Sequence, residues 1–398
     1  GRYFLPVANV INIKQAGGLL DQRTYYAFNG FQILERNGSS YAMPILGPQI
    51  GPVDDSQGDG TVGDLRSEVD RDMDPVYQDE AILGFQQMLD DKWSWGVSGT
   101  YRKLHNAIDD MEISATGACG GNGYIGWVMA NPGKPVTVWG DPNCDGTPGW
   151  VTVDTSREGW AMYDSDGNYI GQRGWVKPKR TYSALEFQVD RAWDGKWSLN
   201  ASYTLSWSRG NAEGPVNSDT DFDDTGRTEN FDDPWVNLGG DGYLPNDHRH
   251  QIKARGAYAL NEHWRLGGDL HLHSGTPITG FGVGNPFDGT NYHSYFICVQ
   301  NCDGPSEDRV YVSSPRGKFG RTPWTYNVGA SIAWLTPLGE KGRLQVKFAV
   351  YNLFNQRRTV AVDQDLQTTI SASTNPYFGE AIATQPPRFA QLTVSADF

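Results

Sequence analysis

Asp141, Asn143 and Asp145 stand at alternate positions of the stretch DPNCDGT, with Gly146 directly after them. Oxygen-bearing side chains at the first, third and fifth positions of a loop, followed by a glycine at the sharp turn, are how a chain wraps a calcium ion. The bidentate Glu that would finish an EF-hand is missing, so the match is partial. Shorter echoes occur at Asp164 with Asp166 and at Asp55 with Asp59. A plain Asp/Gly turn explains the same residues without an ion. No cofactor is therefore required, and calcium in the loops stays an open reading.

A second set of residues could bind rather than coordinate. Trp127, Trp139, Trp150, Trp160 and Tyr163 fall in one long polar stretch, with Tyr169 and Trp175 close behind. Two readings stand: the rings pack the loop internally, or they form flat apolar surfaces for sugar faces or peptide side chains, with nearby carboxylates fixing polar edges. Asp269, His271 and His273 share one side of a period of two, and His248 and His250 flank the neighbouring segment. Without a third fixed ligand they suit hydrogen bonding along a wet wall better than metal binding. The run holding Asp219, Asp221, Asp223, Asp224, Asp232 and Asp233 reads as a solvated loop. No G-x-S-x-G, phosphate-binding loop or Cys–His pair occurs, so catalysis is not expected. The four cysteines fall into two local pairs, Cys119 with Cys144 and Cys298 with Cys302. They read as loop disulfides of an oxidising compartment, and CVQNC has no second pair at zinc-ligand spacing.

The elements that must carry these residues are strands. Trp197, Leu199, Ala201, Tyr203, Leu205 and Trp207 alternate with Ser198, Asn200, Ser202, Thr204 and Ser206. Leu185, Phe187 and Val189, then Leu266, Leu270 and Leu272, then Leu344, Val346, Phe348 and Val350 alternate likewise. The short turns DDK, DGK and NEH run straight into Trp93, Trp197 and Trp264. Long connections take the other turns, at roughly 106–181, 210–247, 275–322 and 356–387. A soluble β-sandwich or propeller joins its strands by turns of similar length. Strict alternation of short turns and long loops instead predicts an all-β, antiparallel transmembrane barrel with short periplasmic turns and long extracellular loops.

Bulk numbers agree with that reading. Over 398 residues only 38% are hydrophobic and mean hydropathy is -0.54, so no segment approaches the ~18–20 apolar residues of a membrane helix. A spanning strand needs only ~9–11 residues of alternating character. The 14 Trp suit interfacial girdles. The net charge of -14 argues against nucleic acid as a partner. The C-terminal RFAQLTVSADF places Leu392 and Val394 towards lipid and Phe398 at the short-turn rim. A terminal Phe on such a strand is the signal that barrel-insertion machinery reads in outer-membrane proteins.

Several stretches together resemble the Oar-like TonB-dependent outer-membrane receptors of Gram-negative bacteria. They are DEAILGFQQML followed by YRKLHNAIDD, the segment from GNAEGPVNSDTDF to NDHRHQIKARGAYAL, SGTPITGFGVGNPF, VYNLFN and the terminal strand. The resemblance covers roughly residues 75–398. It implies a closed barrel of about 22 strands, filled by a plug, that imports a ligand with energy from a TonB-type complex. Its implied partners are outer-membrane lipid, the plug and N-terminal barrel of the same receptor, that energy-coupling complex and the insertion machinery. On this reading residues 1–80 hold barrel strand or strands and an acidic extracellular loop, residues 81–398 are the C-terminal portion of the barrel, and the plug is absent. The acidic exterior favours an oligosaccharide or peptide nutrient over an anionic ferric siderophore. The alternatives are a structural barrel displaying large loops to surface partners, and a soluble calcium-dependent β binding module.

Overall fold

Three turns of one chemistry set the fold. In the computed structural model, which describes residues 1–5, 26–36, 39–50, 64–116, 123–141, 145–163, 168–220, 228–287, 293–338 and 342–397, Asp90, Asp194 and Asn261 each turn a side-chain oxygen back onto the chain. Asp90 accepts from the backbone N–H of Lys92 and Trp93, Asp194 from Lys196 and Trp197, and Asn261 from His263 and Trp264, all at 2.8–3.1 Å. An Asx side chain that satisfies the next two donors closes a tight reversal. The Trp after it opens the returning strand.

The strands joined in this way form one antiparallel meander. In chain order they are β1 Arg2–Phe4, β2 Tyr77–Met88, β3 Trp93–His105, β4 Arg180–Arg191, β5 Trp197–Gly210, β6 His250–Ala259, β7 Trp264–His273, β8 Thr325–Leu338, β9 Gly342–Tyr351 and β10 Phe389–Asp397. Each is hydrogen-bonded to its neighbours in that order, and the two-residue segment Gly242–Tyr243 adds to β5. Strands β2 to β10 are long enough to cross a bilayer at a tilt.

Register sorts the side chains. One cross-strand row reads Phe85, Val97, Phe187, Tyr203, Ile252 and Leu272. The next, one residue along, reads Gln188, Ser202, Lys253, His271 and Asn327. The apolar face is not covered by protein: Leu185, Phe187, Phe348 and Leu392 are 44–66% exposed. A face this broad and apolar would be a liability in water and is the natural surface towards hydrocarbon. Rings mark its rims. Trp93 and Trp197 meet edge-on at 5.6 Å beside the short turns, while His250 stacks between Tyr203 and Trp324 towards the long loops. His250 therefore belongs to an outer aromatic row, and His271 and His273 to the inner polar face.

Among the described residues, β1 and β10 each pair on one side only. In hydrocarbon their free N–H and C=O groups have no partner, so further strands must meet these edges. The sheet is a segment of a larger barrel. Leu392 and Val394 lie on the apolar face opposite Phe348 and Val346; Phe398 is outside the described residues.

The connection from β3 to β4 is a folded unit. Hairpins Asp109–Thr116 with Gly123–Ala130, Pro135–Gly140 with Gly149–Asp154, and Trp160–Tyr163 with Tyr169–Arg173 follow one another. Met111, Ile113, Val128, Val136, Val138 and Trp175 form a buried core, joined by Ala212 and Phe231 from the connection between β5 and β6. The Trp175 indole N–H donates to the Phe231 carbonyl at 2.8 Å. The connections thus build a cap over the long-loop rim.

Candidate functional site

The second hairpin of the cap makes Trp139 and Trp150 register partners, and their rings meet edge-on at 5.6 Å. Arg66 lies 4.5 Å from the Trp139 ring and Arg71 5.0 Å from that of Trp150, so each ring carries a guanidinium. Asp70 fixes this arrangement by accepting the Thr137 N–H at 2.8 Å, while Asp64 grips Arg66 with both carboxylate oxygens. Trp150 remains 43% exposed. The result is an aromatic platform with positive flanks.

The other aromatic candidates lie elsewhere. Trp127 is exposed on the first hairpin. Trp160 packs against the cap core, 6.4 Å from Trp175. Tyr163 pairs with Tyr169 at 6.0 Å. Of the five rings, only Trp139 and Trp150 are in ring contact with each other.

Asp141 accepts the backbone N–H of Asp145 and Gly146, and Asp145 accepts that of Thr147. Both carboxylates thus hold a turn. Asn143, Asp164 and Asp166 are outside the described residues, and among the described residues no group of three or more His, Cys, Asp or Glu is placed to hold a metal ion. Cys298 and Cys302 form a disulfide. Cys119 and Cys144 lie outside the described residues.

Contacts between connections were invisible in the sequence. Asp219, expected in a solvated acidic loop, is buried in an ion pair with Arg316, whose other terminal nitrogen donates to the Tyr295 hydroxyl. Burial and the neighbouring carboxylates raise the Tyr295 pKa. His293 sits 2.7 Å from Glu229 and 3.5 Å from Asp365, so three connections meet at one imidazole. Burial works against its charged form, yet Glu229, Asp365 and Asp219 outweigh that and raise its pKa. Asp109 accepts from the Thr228 N–H and hydroxyl. Burial, together with Asp110, Asp109 and Glu229, pushes Asp232 up to about 9. Asp221, Asp223 and Asp224 fall outside the described residues. No local motif announces these pairs, because their members come from different connections.

At the cap end of the inner face, Gln78, Arg102, Arg180, Tyr182, Ser208 and Asn246 line a cavity of about 160 Å³. Arg102 pairs with Glu80, and Arg180 donates to the Glu213 carbonyl at 2.5 Å. Sequence reasoning missed this site, since its residues come from β2 to β5 and the segment before β6.

An antiparallel sheet that is apolar outside, polar inside, short-turned at one rim and capped at the other is that of an outer-membrane β-barrel, and this chain is an outer-membrane protein of the Gram-negative type. Within that class it is 25% identical over 309 residues to the TonB-dependent transporter Oar of Myxococcus xanthus, covering 77% of this chain and 23% of that protein. The resemblance to Oar-like TonB-dependent receptors thus holds for a portion of the barrel, and the chain spans about a quarter of that relative's length. No family model matches the chain. Among solved structures it is similar to the outer membrane transporter YddB of Escherichia coli, at 10% identity and a TM-score of 0.43, covering 82% of this chain and 33% of that one. It is also similar to the ferric-catecholate import receptor Fiu of E. coli K12, at 12% identity and a TM-score of 0.37, covering 82% and 28%. Strand register, not these superpositions, carries the fold assignment.

Proposed function

We propose that the whole protein is a TonB-dependent receptor that captures a nutrient at its cap and passes it along the polar inner face, with an oligosaccharide or a peptide as cargo rather than an anionic ferric siderophore. The observation that carries the cargo class is the pair of Trp139 and Trp150, register partners on one hairpin whose rings meet edge-on, with Trp150 43% exposed. Such rings stack on sugar faces and on peptide side chains at low entropic cost, while the chain's net charge of -14 repels large anions at encounter. Energy would come from an inner-membrane partner, by analogy with the relative's description as TonB-dependent.

Replacing Trp139 and Trp150 together by Ala should weaken retention of neutral oligosaccharides or peptides by the full-length receptor at least 10-fold, with little dependence on salt. Tight, salt-sensitive retention of an anionic iron chelate, untouched by the double change, rejects this cargo class. The cap's own buried core favours one rival, a barrel displaying a rigid surface to other cell-surface proteins. Uptake that stops when the inner-membrane energy complex is deleted separates transport from display.

A further inference from the structure

The inner-face cavity has an imbalance of hydrogen-bonding groups. Two guanidiniums, Arg102 and Arg180, border it, and only Arg102 has a carboxylate within ion-pair distance, that of Glu80. Arg180 is held by a carbonyl oxygen, which orients it without neutralising it. Ser208 is 3% exposed, and its hydroxyl has no protein partner among the described residues, although its backbone N–H is bound by Asp247. The side chains of Tyr182, Asn246, Gln78 and the apolar Leu104 complete the lining. Donors outnumber acceptors, and the charged pair groups sum to one surplus positive charge.

Arg180, half-buried and bound to one carbonyl oxygen, and the Ser208 hydroxyl both face the space between them, and what fills that space decides how well their remaining hydrogen-bonding capacity is met. Water could occupy it, at ~30 Å³ per molecule in the liquid. Neutral water leaves the surplus charge unmatched. A monoanion with two acceptor oxygens matches both the charge and the fork geometry of a guanidinium, and a carboxylate has that shape. A phosphate, carrying up to two charges, exceeds the single surplus.

We propose that this cavity is a carboxylate subsite, built to take the free C-terminal carboxylate of a peptide at the cap end of the passage. Arg180 supplies the facing guanidinium, Ser208 a hydroxyl donor and Arg102 the shared positive field. The proposal rests on the reading of the inner face as the cargo passage and narrows its cargo from oligosaccharide or peptide to peptide. Tyr182 forms a wall: the Arg102 guanidinium lies 5.6 Å from its ring, which keeps Arg102 at the cavity's edge.

The test uses full-length receptor in detergent, a mixture of short peptides with free carboxyl termini, and the same mixture amidated. Wild-type protein should retain the free acids at least 10-fold better than the amides, and acetate should compete more effectively than inorganic phosphate. Arg180→Met should abolish that selectivity, bringing retention of the free acids down to that of the amides. Ser208→Ala, which removes one oxygen and disturbs the sheet less, should reduce it several-fold and guards against a folding failure of the first variant. Equal retention of the two mixtures by wild type overturns the subsite but leaves transport untouched. Phosphate competing better than acetate, or retention of neither peptide mixture, also overturns it. Loss of energy-dependent uptake, measured in cells, tests the transport reading separately.

Discussion

Leu270 and Ser202 differ in which side of the sheet they meet, and that decides what a charge at each position costs. Leu270 lies in the apolar cross-strand row with Ala254 and Val328, and Ser202 in the polar row with Gln188 and Lys253. Leu270→Arg should destabilise the folded barrel by roughly 2–4 kcal/mol if it lies near the membrane midplane, and Ser202→Arg far less. Equal losses of folding yield into vesicles would reverse the face assignment. Asp232 gives a second residue-level outcome. Its carboxyl binds a proton more tightly in the folded cap than in the unfolded chain, so the stability it lends is complete below the ordinary carboxylate range and is lost as pH rises towards about 9. Asp109 is shifted in the same direction. The cap, followed by tryptophan fluorescence on heating, should melt at lower temperature at pH 9 than at pH 5, and Asp232→Asn should flatten the difference. Alternation placed Leu270 and Ser202 correctly from sequence. It could not place Asp232, whose neighbours Asp109 and Asp110 lie in another connection.

At the scale of elements, the three Asx turns are not equal. Asp194 holds two backbone donors and also the side chains of Arg191 at 2.6 Å and Lys92 at 3.0 Å, whereas Asn261 holds the two donors alone. Asp194→Ala should therefore destabilise more than Asn261→Ala, read from denaturant unfolding of the reconstituted barrel. The opposite ranking would show that the ion pairs contribute nothing at this rim. These turns and the strands between them were legible, because a period of two over nine or more residues, bounded by Asp, Gly or Asn, is a strong signal. The hairpins within the cap were not. Their strands are only four to eight residues long and sit among polar residues, and what orders them is the shared core with Phe231, more than 50 residues beyond Trp175. The pairing of Trp139 with Trp150 likewise follows from a hairpin register that composition does not specify.

For the whole molecule, orientation follows from which rim carries the turns. A Cys placed at Glu262, whose side chain is 86% exposed in a short turn, should resist membrane-impermeant labelling in intact cells, and one placed at Ser156, exposed in the cap, should react. The reverse pattern would invert the topology. The order of pairing also sets two clocks for assembly. Every pairing along the meander joins strands that follow one another in it, and of the nine neighbouring pairs four are joined by short reversals and five by a long connection, so the wall can grow by successive hairpins. The cap closes through partners far apart in the chain: 97 residues separate Arg316 from Asp219, 119 separate Thr228 from Asp109, and 145 separate Gln364 from Asp219. Such contacts carry a larger loop-closure entropy and form slowly. The wall can therefore be complete while the cap is still open, and a fault in the cap, such as Arg316→Met, should yield a barrel that is inserted and heat-resistant and, on the proposed receptor reading, deaf to its cargo.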